Sequence, residues 1–330
     1  AFQNHDLELV IDDGTGGTTT FTRQYLRLDT DTDLGTLTLP PRHTLTLNVV
    51  DQNNSPVANA DINLTSTPHS VQLGGNQFTQ TTQHTATTNT TGTHTITTHT
   101  HPNLTIGITR DGYRPVTSQT VNLNASTTLN LAMTQVFTVS GRVLESDGSP
   151  AQHVSVNYSA NGSGNSNTQV SSDENGDFVL SGVPAGEIDL SINVSNIAVP
   201  PGPGEAFVGR YFGATLPLGS DLELGNLTLP ATEELTFEVV DPDGNPVPDA
   251  SLGFTSPGTG TQIADFPQTT LGGVDFFYGT GGSALKTGPD GTVTINTYAA
   301  DTASVGVSAY GFQTPTGYTS YPVGPDNTIT

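Results

Sequence analysis

The segments Val139-Ser-Gly-Arg-Val143, Asp147-Gly-Ser-Pro150, Asn175-Gly176 and Asp177-Phe-Val-Leu-Ser-Gly-Val-Pro-Ala-Gly186 decide the fold of this chain. In the first, apolar or small residues alternate with polar ones, which is typical of a half-buried β-strand. The second favours a tight turn, because glycine accepts a positive φ and proline fixes its own φ. The third is a strong two-residue hairpin signal, and alternation resumes in the fourth. The stretch therefore predicts β-strands joined by short turns.

Together these segments form the pattern V-x-G-x-V, D-G-x-P, D-x-x-G-x-F and G-V-P-x-G, which resembles the carboxypeptidase regulatory-like domain. That family is a small transthyretin-like β-sandwich related to Cna-B and Ig-like modules, and the resemblance covers residues 135–230. It implies a spacer or assembly module without catalytic residues of its own. Cna-B modules can also form a Lys–Asn crosslink. The only lysine here is Lys286, so the first 230 residues cannot form one.

The composition favours an all-β protein that is exported. The 330 residues include 37 glycines and 22 prolines, and few segments show helical spacing. The formal net charge of −23 repels phosphate groups and anionic lipids, which argues against nucleic acid as a partner. No run reaches the ~18 apolar residues of a membrane span, so we expect no direct membrane insertion. The absence of cysteine indicates a secreted or cell-surface protein of a prokaryote.

Internal repeats divide the chain. Residues 34–64 align without a gap with residues 224–254, and Pro56, Pro150 and Pro246 mark the same turn three times. Each unit is too long for a solenoid repeat and can hold a core of its own. We therefore predict three complete β-sandwich repeats that short, proline-bearing junctions arrange as a rod. Their boundaries are 41–134 (repeat 1), 135–230 (repeat 2) and 231–330 (repeat 3).

Residues 1–40 match only the C-terminal half of a repeat. Three pairs of segments carry the match: Asp6–Leu9 with Asp189–Ile192, Phe21–Tyr25 with Phe207–Tyr211, and Leu34–Pro40 with Leu224–Pro230. Three strands cannot readily close a sandwich, and their edges would associate with other strands. We therefore predict a partial β-sandwich at residues 1–40.

Three interpretations of the partial sandwich stay open. It is the remnant of a longer tandem array, or a neighbouring subunit completes it by strand addition, or it packs on repeat 1. Strand addition between copies is a head-to-tail contact that does not close, so it would build a filament. The residues predicted at such a subunit interface are Leu7, Leu9, Phe21, Tyr25 and Ile329.

Several polar motifs each have a structural and a functional interpretation. Asp29–Asp33, Asp173–Asp177 and Asp241–Gly244 gather oxygen ligands that calcium accepts, although Asp-Gly turns explain them more simply. Threonine dominates residues 76–100, which predicts a solvated strand pair, and His99 and His101 are a candidate imidazole pair on one strand face. Sequons for N-glycosylation occur at nine asparagines: Asn53, Asn63, Asn89, Asn103, Asn124, Asn157, Asn161, Asn193 and Asn226.

No catalytic motif is present in the sequence, and we predict neither an enzyme nor a cofactor, with calcium as the one candidate ion. The predicted function is a structural subunit of an extracellular filament or cell-surface stalk, with copies of itself as partners and glycans as further candidates. The alternative is an adhesion or carbohydrate-binding region of a larger secreted protein. The aromatic residues of repeat 3, among them Val274-Asp-Phe-Phe-Tyr278, Tyr310, Tyr318 and Tyr321, suit the core of the repeat, a subunit interface or a sugar.

Overall fold

The computed structural model describes residues 4–27, 33–160, 168–195, 207–256, 268–298, 302–313, 317–322 and 328–329. All regular structure in these ranges is β-strand, which confirms the all-β fold class. They contain no helix that could cross a membrane. The chain divides into two compact units, residues 1–136 and 137–330. Of the predicted boundaries, 134/135 lies next to this division, whereas 40/41 and 230/231 fall inside a unit.

Unit 1 contains two sheets. The larger has the order β1-β2-β6-β4-β8-β9 with β5 also paired to β6, and the smaller has the order β10-β3-β7. The strands are β1 (Asn4–Asp12), β2 (Gly17–Arg27), β3 (Arg42–Asp51), β4 (Asp61–Ser66), β5 (His69–Leu73), β6 (Asn76–Thr87), β7 (Thr93–His99), β8 (His101–Thr109), β9 (Val116–Leu123) and β10 (Thr127–Met133).

Unit 2 begins with β11 and holds the remaining strands. These are β11 (Val136–Leu144), β12 (Ser155–Ala160), β13 (Gln169–Ser171), β14 (Asp177–Pro184), β15 (Gly186–Ser195), β16 (Phe207–Leu218), β17 (Leu222–Thr228), β18 (Glu233–Glu238), β19 (Ser251–Ser256), β20 (Gln268–Leu271), β21 (Val274–Lys286), β22 (Thr292–Thr297), β23 (Thr302–Ser308), β24 (Thr319–Pro322) and β25 (Thr328–Ile329). They form the sheets β14-β11-β17, β13-β12-β15-β16-β21-β19-β23-β24 with β20 on β21, and β22-β18-β25.

The alternation of buried apolar residues with more exposed ones explains why these segments form β-strands. Leu45, Leu47 and Val49 of β3 are fully buried and alternate with threonine, asparagine and valine that are partly exposed. A buried hydroxyl recurs at one place in all three repeats, at Thr88 and at its equivalents Ser172 and Thr287. Each accepts a backbone N–H and donates to a backbone carbonyl of the segment that follows the proline turn. These hydroxyls satisfy buried backbone groups that no strand pairs.

A hairpin of repeat 3 belongs structurally to repeat 2. Strand β21 pairs with β16 from Phe207↔Ser283 to Gly213↔Phe277. Leu271 and Phe276 of the hairpin lie in the core cluster that repeat 2 builds, not in the core of repeat 3. The sequence repeats therefore share a sheet and a core, which their alignment does not show.

An equivalent hairpin of repeat 1 pairs with the sheet of residues 1–40. Its Leu73-Gly74-Gly75 corresponds to Leu271-Gly272-Gly273. Strand β6 pairs with β2 from Gly17↔His84 to Thr22↔Thr79. Of the three interpretations, packing on repeat 1 is thus the arrangement within unit 1. Unit 1 from β1 onwards follows the plan of unit 2 from β15 onwards.

The strand register changes one sequence match. Leu9 and Ile192 are equivalent, and they pair with Phe21 and Phe212 respectively. Phe21 is therefore the counterpart of Phe212, and the sequence match of Phe21–Tyr25 with Phe207–Tyr211 was wrong in register. A two-residue repeat of apolar positions explains the error, because several registers preserve the alternation.

The prediction of a solvated, threonine-rich strand pair at residues 76–100 was wrong in two respects. Strands β6 and β7 belong to different sheets and do not pair. Only one face of β6 is largely exposed, whereas the other is buried inside unit 1 and carries Phe78, Gln80, Thr82 and His84. Threonine content alone does not distinguish an exposed face from a polar buried one.

Candidate assembly site

The described part of residues 1–40, called the half-repeat below, contains a small and open core. Phe21 is fully buried against Leu73 and Phe78 of the hairpin from repeat 1. Five apolar side chains of the half-repeat itself pack on this cluster but stay partly exposed, namely Leu7, Leu9, Ile11, Leu37 and Leu39. The half-repeat therefore presents an apolar face that its own unit covers only in part.

The equivalent strand in repeat 2 shows what covers this face there. Leu190 and Ile192 of β15 are fully buried in a core cluster to which the sheet β14-β11-β17 also contributes. Strand β12 pairs with the outer edge of β15 from Ile188 to Asn193. Strand β1 pairs with β2 only and ends the sheet among the described residues. Val10, which points to the other face of β1, has 58% of its surface exposed. An edge of this kind is a ready acceptor for a further strand.

The last segment of the half-repeat also lacks a strand partner. Its counterpart β17 pairs in parallel with β11, whereas residues 33–41 form no strand among the described residues. The segment is held at its two ends. Asn76 Nδ2 donates to the carbonyl of Leu34 (3.1 Å), and His99 Nδ1 bonds the carbonyl of Pro40 (2.7 Å).

The seam between the half-repeat and repeat 1 combines one aromatic contact with a polar network. Phe21 meets His99 edge-on with ring centroids 5.6 Å apart. Beside them the hydroxyl of Thr19 bonds those of Thr82 (3.2 Å) and Thr98 (3.0 Å), all buried. Hydrogen bonding among these hydroxyls removes most of the cost of burying them.

A histidine pair next to the seam was not foreseen from the sequence. His84 bonds Asp13 through Nδ1 (2.9 Å) and His94 through Nε2 (3.1 Å). Burial opposes ionisation of Asp13, but hydrogen bonds from Thr15, Gly17 and His84 outweigh it and lower the pKa of Asp13. Burial, together with the neighbouring His84, lowers the pKa of His94. Ten residues separate the two histidines, and β6 and β7 belong to different sheets of unit 1, so no local pattern of the sequence reveals their contact.

His101 belongs to a second pair, with His69 and not with His99. The His69 Nδ1 to His101 Nε2 distance is 2.9 Å. Burial, with His69 nearby, lowers the pKa of His101 to about 4, and burial also lowers the pKa of His69. The expected imidazole pair of His99 and His101 was wrong, because β7 ends at the first and β8 begins at the second. No group of three metal-ligating side chains occurs within the described ranges.

The predicted interface residues lie in different environments. Leu7 and Leu9 line the open core, and Phe21 is buried inside unit 1. Tyr25 is 72% exposed and adopts a positive φ of 59°. Ile329 lies far along the chain in β25, which pairs in parallel with β18. The structure thus brings three of the five together in the half-repeat core and leaves Tyr25 at its surface.

The sequons are distributed over both units. Six of the asparagines are exposed, namely Asn53, Asn63, Asn89, Asn103, Asn124 and Asn226, whereas Asn157 and Asn193 are partly buried. Asn161 lies outside the described residues. The amide of Asn89 already bonds Thr93 Oγ1 and accepts the N–H groups of Thr91 and Thr93.

The aspartates considered for calcium close turns where they are described. Asp173 Oδ1 accepts the N–H groups of Asn175 and Asp177, and Asp241 Oδ1 accepts those of Asp243 and Asn245. This is the hydrogen bonding of an Asx-turn. Residues 29–32 lie outside the described ranges.

Part of unit 2 matches a known family. Residues 138–198 match the family model of the carboxypeptidase regulatory-like domain, which confirms the resemblance found in the sequence. A search of curated proteins finds no match.

Solved structures similar in fold include three bacterial pilins. The Streptococcal ancillary pilin is 12% identical, with 88% of this chain and 98% of that chain covered and a TM-score of 0.29. The major pilin subunit of Bacillus cereus is 10% identical, with coverages of 88% and 97% and a TM-score of 0.22. The shaft pilin of Lactobacillus rhamnosus GG is 10% identical, with coverages of 58% and 100% and a TM-score of 0.23.

Proposed function

We propose that this chain is a structural subunit of an extracellular filament or cell-surface stalk of a prokaryote. Copies of the chain assemble end to end, and β-strand complementation of the half-repeat forms the contact. The chain acts as a scaffold and catalyses no reaction. Glycans attached at exposed sequons belong to the same proposal, as does a secreted or surface location.

One observation carries the proposal. The half-repeat has an apolar core face and two strand edges without partners among the described residues, whereas repeat 2 covers the same positions with β11 and β12. A strand added there gains main-chain hydrogen bonds along its length and buries alternate side chains. Two different surfaces of identical copies would then meet, and such a contact propagates without closing.

Charge modulates this assembly. Each copy carries a formal net charge of −23, so neighbouring copies repel one another at low ionic strength. Salt screens this repulsion over a Debye length of about 8–10 Å near physiological ionic strength. We therefore expect assembly to strengthen as salt is added, in contrast to contacts made by opposite charges.

Negative-stain electron microscopy and light scattering test the proposal. The native chain is expected to form ordered filaments. Leu9→Asp places a charge on the open core face and is expected to abolish them. Val10→Asp is the matched control, because it adds the same charge to the next residue on the opposite face of β1 and should leave filaments intact. A chain that stays monomeric at high salt and high concentration would refute the proposal.

A further inference from the structure

One histidine pair connects the two sheets of unit 1. His84 lies on β6 of the larger sheet and His94 on β7 of the smaller one, and their Nε2 atoms are 3.1 Å apart. The side chain of His84 is fully buried, whereas His94 is partly exposed. Neither residue takes part in the proposed assembly contact. The pair is therefore a feature of the fold that the proposed function leaves unexplained.

Asp13 holds the ring of His84 from its other side. Oδ2 of Asp13 lies 2.9 Å from Nδ1 of His84. Oδ1 accepts the N–H groups of Thr15 (2.7 Å) and Gly17 (3.0 Å), which fix the carboxyl group in place. The lowered pKa of Asp13 keeps this group ionised at neutral pH, so it can only accept a hydrogen bond. In the neutral ring of His84 the proton therefore sits on Nδ1, and Nε2 presents a lone pair towards His94.

Gly17 makes room for the contact between Asp13 and His84. The backbone of Gly17 does not itself require glycine, because its φ is not positive. A Cβ at this position would meet both Oδ2 of Asp13 and Nδ1 of His84. Any larger residue would displace one of the two groups. The turn between β1 and β2 therefore sets the orientation of the buried imidazole.

Nε2 of His94 presents a lone pair as well. Burial and the neighbouring His84 lower the pKa of His94, and a hydrogen bond with the backbone of Thr87 opposes them. A hydrogen bond that raises the pKa of a histidine is one that its ring donates, here to a carbonyl. Because Nε2 faces His84, the bond to Thr87 uses Nδ1. The lowered pKa keeps the ring of His94 neutral at pH 7, so its single proton lies on Nδ1.

Two facing lone pairs form a site for a cation. Zinc binds imidazole nitrogen at about 2.0–2.1 Å, so two imidazoles on a tetrahedral zinc ion have their nitrogens about 3.3 Å apart. The separation of 3.1 Å between the two Nε2 atoms is close to this value. A histidine that binds a metal usually donates its other N–H to a carboxylate or a carbonyl. Asp13 and Thr87 are acceptors of these two kinds.

The other histidine pair of unit 1 has a different arrangement of protons. Nδ1 of His101 accepts the N–H of Asn103 (3.2 Å), so the proton of this ring lies on Nε2. That N–H donates to Nδ1 of His69 at 2.9 Å. One hydrogen therefore lies between the two rings, as in an ordinary hydrogen bond. The pair of His69 and His101 needs no cation and provides a control for the pair of His84 and His94.

We propose that His84 and His94 bind a divalent transition-metal ion such as zinc through their Nε2 atoms, with Asp13 as a positioning residue. The ion links β6 to β7 and so joins the two sheets of a unit that contains no cysteine. Water completes the coordination on the exposed side of His94, since the described residues offer no third ligating side chain. Imidazole nitrogen selects zinc, copper or nickel over magnesium and calcium. This site goes beyond the proposed function and does not depend on filament assembly.

Isothermal titration calorimetry of the metal-free chain tests the proposal. Zinc is expected to bind saturably with one ion per chain, and magnesium is expected not to bind at this site. His94→Gln changes a partly exposed position and should weaken zinc binding by about tenfold or more, because it removes one of the two ligands. His69→Gln is the matched control and should leave the affinity unchanged. The proposal is overturned if the native chain does not bind zinc saturably, or if His94→Gln binds it no more weakly than His69→Gln.

A variant of Asp13 separates positioning from a purely structural role. Asp13→Asn keeps the size of the side chain but removes its charge, and it should weaken zinc binding by about tenfold or more. A purely structural Asp13 would instead lower the unfolding temperature of the metal-free chain and leave the affinity for zinc unchanged. That result would contradict the assigned role of Asp13.

Long-range ¹H–¹⁵N NMR spectra of the histidine rings locate the protons directly. His94→Gln and His69→Gln assign the signals of the two pairs. In the metal-free native chain above pH 7 we expect the proton on Nδ1 in both His84 and His94, and zinc should shift their Nε2 signals but not those of His69 and His101. A proton on Nε2 of either His84 or His94 would refute the facing lone pairs and the metal site with them.

Discussion

Units 1 and 2 have the same strand arrangement, but different side chains occupy the seam between the earlier and the later sandwich of each unit. In both, a Leu-Gly-Gly hairpin of the later sandwich pairs with the sheet of the earlier one. In unit 2 the shared core contains Phe212, Tyr278 and Tyr298, whose rings stack or meet edge-on at 5.2–5.9 Å. In unit 1 the equivalent positions are Phe21, Gln80 and His99, and hydroxyls and imidazoles surround them.

The difference shows that backbone pairing, and not side-chain type, defines this architecture. Phe21 on His99 and Phe212 on Tyr298 make the same edge-on contact, with interplanar angles of 74° and 66°. A polar seam tolerates the same geometry provided that its buried groups are hydrogen-bonded. The apolar seam should contribute more to stability, because aromatic burial adds free energy that satisfied polar groups do not.

The largest expected loss of stability follows from truncating the buried phenylalanine of each hairpin. Phe276→Ala removes a fully buried ring from the closed core of repeat 2 and should destabilise unit 2 by about 3–5 kcal/mol. Phe78→Ala, its counterpart in the open half-repeat, should cost unit 1 about half as much, because its surroundings can collapse or hydrate more easily. Differential scanning calorimetry of the full chain measures both. Equal costs would mean that the half-repeat core is as closed as that of repeat 2.

A smaller effect is expected at the hairpin turns. Gly272 and Gly74 have positive φ angles of 56° and 57°, and a Cβ at either would meet a backbone carbonyl, of Leu224 and of Thr36 respectively. Alanine in this conformation costs about 1–3 kcal/mol. We expect Gly272→Ala to be the costlier, because Leu224 belongs to the paired strand β17 while Thr36 lies outside any strand and can move. Chemical denaturation of each variant measures the two losses of unfolding free energy. A larger loss for Gly74→Ala than for Gly272→Ala would contradict this expectation.

The mildest effect is a difference in acid stability. His69, His94 and His101 have pKa values below the ordinary 6.5 in the folded chain. The unfolded chain therefore binds more protons as the pH falls below 6.5, so stability declines from there towards pH 4. All three lie in unit 1, and the only histidine of unit 2 is the exposed His153.

Differential scanning calorimetry at about pH 7.5 and about pH 4.5, one above and one below the ordinary pKa of histidine, tests this expectation. From the higher pH to the lower, the midpoint temperature of unfolding of unit 1 should fall by several degrees, while that of unit 2 changes less. His101→Gln should reduce the shift of unit 1. A parallel decline of both transitions would attribute the acid response to general charge effects instead.

Local features of the fold were predictable from the sequence. The turns at Asn175-Gly176 and Asp147-Gly148 restrict φ locally, and apolar alternation identifies the strands that follow them. Repeat equivalences such as that of Leu34–Pro40 with Leu224–Pro230 also follow from the sequence. Each of these signals lies within a short segment.

The partners of the strands were not predictable in the same way. Strand β21 has the alternation of any strand, and nothing in residues 274–286 indicates that they pair with β16 of the preceding repeat. The contacts between His84 and Asp13, and between His69 and His101, join residues that are 71 and 32 positions apart. Such contacts depend on sheet order and register, which local patterns do not determine.

Hairpin sharing has a consequence for how a chain of this type can grow or be engineered. A cut at residue 230, where the sequence repeats suggest a boundary, would remove Phe276 from the core cluster that contains Phe212 and leave both fragments with an exposed core. Deleting or duplicating one sandwich would do the same. Gene segments that encode a whole pair of sandwiches can be exchanged without this damage, so the pair, and not the recognisable single domain, is the interchangeable part.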